Sequence, residues 1–173
     1  ANCSGFTGLV LSHTMTLIPE SPFAGCTGLA GTLDLKNVTE IGQSAFYGCS
    51  GLTGELDLSK VKTIRGTAFQ GCSGLSGELN LSGVTSIEYG AFKDCSGLTS
   101  LVWSSAITEV PDDIFAGCTG FTGMLDLTGV TSVGNNAFKD CGGFTECIIP
   151  DMWHIGNSAF ENCSGFTGSL DLT

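Results

Sequence analysis

The stretch CSGLTGELDLS, residues 49–59, decides the fold of this 173-residue chain because the chain keeps repeating it. It returns as CSGLSGELNLS at 72–82 and as CTGFTGMLDLT at 118–128. With this stretch, a cysteine recurs every 23 residues from Cys3 to Cys141, and the next cysteine of the series, Cys163, follows after 22. Phenylalanine recurs in phase, just ahead of the cysteine of each later repeat. Two periods locked together indicate tandem structural repeats.

Each unit divides into a strand, a return segment and a turn. From its cysteine it reads C-[ST]-G-[LF]-T-G-x-L-D-L-[ST]-x-V-T-x-I-G-x-x-A-F-x-[GDN]. The alternation in x-L-D-L-x predicts a short strand whose Leu56 and Leu58 face the core. Val61 and Ile64 then mark the return segment. The letters GTAFQGC predict one helical or 3-10 turn that packs Phe69 inward.

A single unit buries too few apolar side chains to offset the entropy of ordering its backbone, so the units must stack. We expect each strand to pair in parallel with the next coil, about 4.8 Å away. The predicted fold is a solenoid of about seven and a half 23-residue repeats, mainly β with short helical or 3-10 turns and a parallel sheet on one face. It forms one domain over 1–173, and because the chain opens inside a repeat we expect a fragment of a longer array.

The charge balance limits the partners. Six Lys and Arg stand against seventeen Asp and Glu, for a net charge of −11. Such a chain repels phosphate-rich partners, so neither nucleic acid nor an anionic membrane is an expected partner. No apolar run approaches the roughly 18 residues of a membrane-spanning helix, so membrane insertion is not expected. The sequence has no phosphate loop and no dinucleotide fingerprint, and no cofactor is predicted.

The segment IGQSAFYGCSGLT at 41–53 resembles the Treponema-type leucine-rich repeats of the BspA-like family. The likeness covers essentially the whole chain, because the A-F-x-x-C signature recurs in phase, as at Ala45, Phe46 and Cys49. The resemblance implies a curved leucine-rich repeat solenoid of the α/β horseshoe class. It also implies a place in larger surface or secreted proteins of bacteria and some protists that act in adhesion.

Two forms of the strand set its outward column of side chains. The form familiar in that family, LTSLVWS at 98–104, places its inward residues three and five after the leading Leu, whereas LTGELDLS at 52–59 places them four and six after. We expect the column to bind a partner, because a cation or a basic group would relieve the repulsion between stacked carboxylates. A solvated face that only keeps the sheet soluble is the alternative. Apolar members interrupt the row, so a calcium site is not predicted. The column reads Val10, Asp34, Asp57, Asn80, Val102, Asp126, Ile148 and Asp171, flanked by Glu55, Glu78 and Glu146, with Lys36 partly offsetting the charge.

The nine cysteines are predicted to be reduced and buried. Stacked equivalents lie about 4.8 Å apart with parallel side chains, whereas a disulfide needs a sulfur separation of about 2.05 Å. A linear column does not converge on one tetrahedral zinc ion, so no metal is predicted. Cys147, which lies off the period, aligns with Leu56 and is expected in the core too.

Catalysis has little support. The only histidines, His13 and His154, lie about six repeats apart, and the repeat places no nucleophile beside either. His154 falls in a column filled mostly by threonines, Thr39, Thr85, Thr108 and Thr131, so we expect it to be exposed and to interrupt any ice-binding threonine array. Trp103 replaces an inward strand Leu and Trp153 replaces the Val of the return segment, so both are predicted to be core residues. Sequons that matter only in a eukaryotic secretory pathway occur at Asn2, Asn37, Asn80 and Asn162.

Two classes of function remain open. A non-catalytic binding or adhesion module would present the acidic and apolar column to a protein or a glycan. A structural protein would instead assemble head to tail through repeat ends that carry no polar cap. The recurrence of NCSGFTG from 2–8 at 162–168 shows how alike the two ends are.

Overall fold

The computed structural model describes residues 8–167, which wind into stacked coils. We number the coils 1 to 7, with coils 2 to 7 beginning at the cysteines of the repeat. Seven two-residue return strands are β1 (Leu17–Ile18), β2 (Glu40–Ile41), β3 (Thr63–Ile64), β5 (Ser86–Ile87), β7 (Glu109–Val110), β9 (Ser132–Val133) and β11 (His154–Ile155). Four longer front strands are β4 (Gly77–Asn80), β6 (Leu98–Val102), β8 (Gly123–Asp126) and β10 (Phe144–Ile148). Every strand pairing is parallel and joins consecutive coils, which confirms the solenoid.

Stacked phenylalanine rings run through the core from coil to coil. The ring centroids of Phe46, Phe69 and Phe92 lie 5.3 Å apart in succession, with interplanar angles of 11° and 8°. In the later coils a second stack joins the first, since Phe121 and Phe144 lie 5.3 Å apart. Each ring is buried by its neighbours above and below, as expected where no coil could fold alone.

The Ala-Phe turn does not form the expected helical or 3-10 element in the residues described. In coil 2, the backbone N–H groups of Ser44, Phe46 and Gly48 donate to carbonyls of coil 3 at 2.7–2.9 Å. The intervening Ala45 and Cys49 close tight turns within the chain. Ser44 and Gly48 have φ of 53° and 68°, in the left-handed region. A helix is impossible here because half of the N–H groups are committed to the neighbouring coil.

The periodic cysteines of the described coils are free thiols, and six of them are buried. Cys163 is only half-buried, and Cys3 lies outside the described residues. From Cys49 to Cys163 the periodic thiols also donate hydrogen bonds, a role that volume alone does not explain. The Sγ–H of Cys72 donates to the Phe46 carbonyl of the preceding coil at 3.0 Å, and Cys95 donates to the Phe69 carbonyl at 3.1 Å. Off the period, Cys147 is only half-buried, although it packs against the core.

The front sheet is not continuous along the described coils, contrary to expectation. Front strands pair only as β4 with β6 and as β8 with β10. Between coils 2, 3 and 4 the pairing shrinks to single bridges, Gly31 with Leu52 and Gly54 with Leu75. The division follows the two strand forms: β4 and β8, of the longer form, each pair with the shorter-form strand of the next coil, whereas the successive longer forms of coils 2, 3 and 4 make only single bridges.

Candidate functional site

The predicted column does lie on one exposed face, which we call the front face. The register pairs Asn80 with Val102 and Asp126 with Ile148, so these side chains are neighbours on adjacent coils. All the predicted column and flanking residues that the structure describes are exposed: Val10, Asp34, Asp57, Asn80, Val102, Asp126, Ile148, Glu55, Glu78 and Glu146. Asp171 lies outside the described residues.

The aspartates of the column have a structural role that the sequence pattern did not predict. In each of the three described aspartates, a side-chain oxygen accepts a hydrogen bond from the backbone N–H of the second residue after it, which closes the corner after the front segment. Asp57 accepts from Ser59 at 3.0 Å and Asp126 from Thr128 at 2.9 Å. Asn80 makes the same bond to Ser82 at 3.1 Å, which explains why Asn can replace Asp. The short front strands, with Val102 or Ile148 here, lack this corner.

The same hydrogen bonds keep the carboxylates ionised. Bonds from the side chain and backbone of Ser59 lower the pKa of Asp57, and those of Thr128 lower the pKa of Asp126. The Lys36 ammonium, 2.8 Å from the Asp34 carboxylate, lowers the pKa of Asp34. Asp57 and Asp126 therefore present negative charge to solvent, whereas Lys36 offsets the charge of Asp34.

The front face is polar in coils 2 to 4 and mixed in coils 5 to 7, where Asp126 and Glu146 stand among apolar side chains. Coils 2 and 3 present Asp34 and Asp57, and Glu55 and Glu78 flank the column in coils 3 and 4. Coils 5 to 7 instead expose apolar side chains, with Val102 at 38%, Met124 at 50% and Ile148 at 44%. The sequence pattern did not single out Met124, although its substitution for the glutamates of coils 3 and 4 was the available signal.

The prediction for Trp153 is wrong, because its side chain is 73% exposed. The register pairs His154 with Ser132, one position short of the usual repeat, so Trp153 stands after Thr131 in the exposed threonine column. The residue missing from coil 7 is lost before Trp153, which moves Met152 into the inward position. His154 is exposed as expected, but its predicted place in the threonine column is wrong, because it aligns with Ser132. Its ring lies 5.6 Å from that of Trp153. Trp103 packs against the core and donates from Nε1 to the Ile107 carbonyl at 3.0 Å.

The described residues present sequons but no metal site. Within 8–167, no group of three His, Cys, Asp or Glu side chains is placed to hold a metal ion. The sequon residues Asn37, Asn80 and Asn162 are exposed, with Asn37 Nδ2 donating to the His13 carbonyl at 2.9 Å and Asn162 Nδ2 donating to Asp140 at 2.6 Å. Asn2 lies outside the described residues. No helix among the described residues is long and apolar enough to cross a membrane.

The repeat pattern matches a known family over nearly the whole chain. The family described as BspA type Leucine rich repeat region matches in six copies, over 1–122 and 56–167. The chain belongs to this BspA-type leucine-rich repeat family. No catalytic family is indicated, and repeat proteins of this kind are generally non-enzymatic binding scaffolds. A search of curated proteins found no match for this BspA-type repeat chain.

Solved structures agree on the fold of the BspA-type chain. A leucine rich cell surface protein from Faecalibacterium prausnitzii is 29% identical with a TM-score of 0.77, covering 88% of this chain and 41% of its own. The leucine-rich repeat protein of T. pallidum is 24% identical with a TM-score of 0.80, covering 93% of this chain and 78% of its own. One from Bacteroides ovatus is 20% identical with a TM-score of 0.63, covering 90% and 51%. The chain thus spans less than half the length of the F. prausnitzii protein.

Proposed function

We propose that the chain is a non-catalytic binding module whose front face docks a protein partner in adhesion. The observation that carries the proposal is the row of hydrogen-bonded, ionised aspartates that continues into the exposed Val102, Met124 and Ile148. Rigid charges next to an apolar patch favour a protein, which can supply basic and apolar side chains together. A glycan is the alternative occupant of this face.

The partner's chemistry follows from the side chains of the front face. Lys or Arg side chains would meet Asp57 and Asp126, while apolar side chains would cover Met124 and Ile148. The net charge of −11 steers basic proteins toward the chain and repels nucleic acid. A location at the cell surface or outside the cell is part of the proposal. Its support is the family and the surface protein of F. prausnitzii.

The test neutralises the column without breaking the corners. In Asp34→Asn, Asp57→Asn and Asp126→Asn the amide oxygen can still accept the corner N–H, as Asn80 does. Partners are first selected on arrays of purified extracellular proteins and of glycans. Exposed ion pairs contribute about 0.2–1 kcal/mol each, so the triple variant should bind a protein partner about 3- to 150-fold more weakly. The loss should shrink as salt is raised.

A matched control changes three exposed carboxylates away from the front face. Glu20→Gln, Asp94→Asn and Asp151→Asn remove the same charge and should leave the affinity largely unchanged. Equal losses of affinity in both triple variants would show that net charge, and not the position of the carboxylates, causes the loss. Unchanged affinity in the front-face variant would refute the role of the column, and binding on the glycan array alone would refute the protein partner.

We also propose head-to-tail assembly as a second function, because the bonds between coils are polar along the solenoid axis. In the turns, N–H groups donate toward the next coil, as from Phe138 to the Ala159 carbonyl at 2.8 Å. A turn therefore offers donors on one side and acceptors on the other, so a coil of one copy can pair with a coil of another copy. Light scattering over a dilution series tests this, and a mass that stays monomeric at every concentration would refute it.

A further inference from the structure

The return strands form two sheets that are separated by a gap. Strands β1, β2, β3 and β5 form one sheet, and β7, β9 and β11 form the other. No Cα atom of β5 lies within 8 Å of a Cα atom of β7, although the two strands belong to consecutive coils. Hydrogen-bonded strands lie about 4.8 Å apart, so this gap is wider than one strand spacing.

Pro111 accounts for the break. At the equivalent position of other coils, the N–H of Gly42 donates to the Ile18 carbonyl at 2.8 Å and that of Gly134 donates to the Val110 carbonyl at 2.8 Å. Proline has no N–H, so the Ile87 carbonyl loses this donor. A proline inside a ladder is tolerated only where the ladder ends.

Both walls of the gap present unpaired backbone groups. In the described residues, the Thr85 and Ile87 carbonyls accept no backbone hydrogen bond from coil 5. The N–H groups of Thr108 and Glu109 make none to coil 4, although their equivalents in coil 2 both donate to the Thr16 carbonyl. One wall therefore offers acceptors and the other offers donors.

The opening is local, because the coils stay joined on both sides of it. At one end the Ser104 hydroxyl donates to the Val84 carbonyl at 2.5 Å, and at the other the Gly90 N–H donates to the Asp112 carbonyl at 3.0 Å. In the core, the ring centroids of Phe92 in coil 4 and Phe115 in coil 5 lie 6.2 Å apart, only slightly farther than the 5.3 Å between Phe69 and Phe92. The groove over the gap has a volume of about 530 Å³ and extends to Ser132 and His154. Ligand sites have volumes of this size.

We infer that this gap binds a short extended segment of a partner protein, which inserts as a parallel strand between β5 and β7. Two strand spacings total about 9.6 Å, a width consistent with the separation beyond 8 Å. The inserted N–H groups would pair with the Thr85 and Ile87 carbonyls, and the inserted carbonyls with the N–H groups of Thr108 and Glu109. Strand insertion into an existing sheet is a known mode of peptide recognition. This site is on the return face and does not depend on the proposed front-face function.

Charge selects a basic segment. The exposed carboxylates of Glu109 and Asp112 line the groove, whereas Glu88, just beyond β5, is already paired with Arg65 at 2.9 Å. Among the described lining residues, His154 is the one titratable side chain able to carry positive charge. Its ring lies beside the exposed Trp153, whose face can receive a Lys or Arg cation.

The probe is a fluorescein-labelled, end-blocked peptide of alternating Lys and Thr, read by fluorescence anisotropy. It should bind the parent chain, and hydrogen exchange at the Thr108 and Glu109 amides should slow when it is added. Two control peptides isolate the two causes. One has Glu in place of Lys, and the other is N-methylated at alternate residues, which keeps its charge but removes backbone donors. Both should bind about tenfold more weakly or worse.

The matched variants are Pro111→Gly, which restores the donor to Ile87, and Pro19→Gly, which makes the same change in coil 1. Pro111→Gly should close the gap and weaken binding about tenfold or more, while Pro19→Gly should bind as the parent does. In the front-face triple variant the peptide should still protect the Thr108 and Glu109 amides. Equal binding of the N-methylated peptide, or unprotected Thr108 and Glu109 amides in the bound parent, would overturn strand insertion. Equal binding of the Glu peptide would overturn the basic segment. Protection of these amides that depends on chain concentration alone would assign the gap to a second copy and overturn the proposal.

Discussion

Replacing single rings of the stacked core by Leu should destabilise the chain in proportion to the number of rings that each one touches. Among the residues that the structure describes, Phe23 touches one ring, that of Phe46 at 5.3 Å. Phe69 touches two, one on each side. Phe115 touches four, at 5.5–6.2 Å, from the neighbouring coils and from its own. Leu keeps most of the apolar burial at each position, so the series isolates the interactions between rings.

The expected losses of stability follow from the ring neighbours of each position. Each aromatic pair contributes about 0.5–1.5 kcal/mol beyond its burial. Phe23→Leu should therefore cost about 0.5–1.5 kcal/mol, Phe69→Leu about 1–3 and Phe115→Leu about 2–6. Urea unfolding followed by far-ultraviolet circular dichroism measures the free energy of unfolding of each variant. Equal losses at the three positions, or the largest loss for Phe23→Leu, would refute the account of the core as a line of mutually buried rings.

Two further predictions concern the thiols and the glycines between coils. Burial raises the pKa of Cys49 to about 11 and of Cys95 to about 12, against 9.0 for the ordinary thiol. The stabilisation that these buried, protonated thiols give to the folded state is therefore complete below about pH 9. It is lost as the pH rises toward the pKa values of the thiols in the folded state. Urea midpoints should fall between pH 8 and pH 10.5, less so in Cys49→Ala with Cys95→Ala, and an equal fall in that double variant would contradict the assignment. Gly51→Ala would place its methyl carbon 2.6 Å from the Leu29 carbonyl oxygen of the preceding coil, whereas Gly83→Ala finds its nearest atom at 3.5 Å. The first should cost about 1–3 kcal/mol and lower Tm, the second should change Tm little, and equal shifts in Tm would disprove steric crowding between the coils.

The misplacement of Trp153 shows a limit of the repeat pattern. The shorter spacing between Cys141 and Cys163 shows that one residue is missing from coil 7, but it does not show at which position. Alignment of the repeats from their cysteines therefore placed Trp153 in the core. Backbone pairing decides the matter, because His154 pairs with Ser132 and leaves Trp153 exposed. The pattern likewise showed Asp57 as part of a charged column but not as the acceptor that closes a corner.

The sequence by itself determined the stacking, the coil length and the inward columns, because burying Leu56, Phe69 and Cys72 requires each coil to cover the next. Only the tertiary structure decided how the backbone groups of neighbouring coils meet. It replaced the helical turn with bonds between coils, divided the front sheet, and opened the gap between β5 and β7. These features depend on hydrogen-bond partners that lie a full coil away along the chain, which a side-chain pattern does not specify.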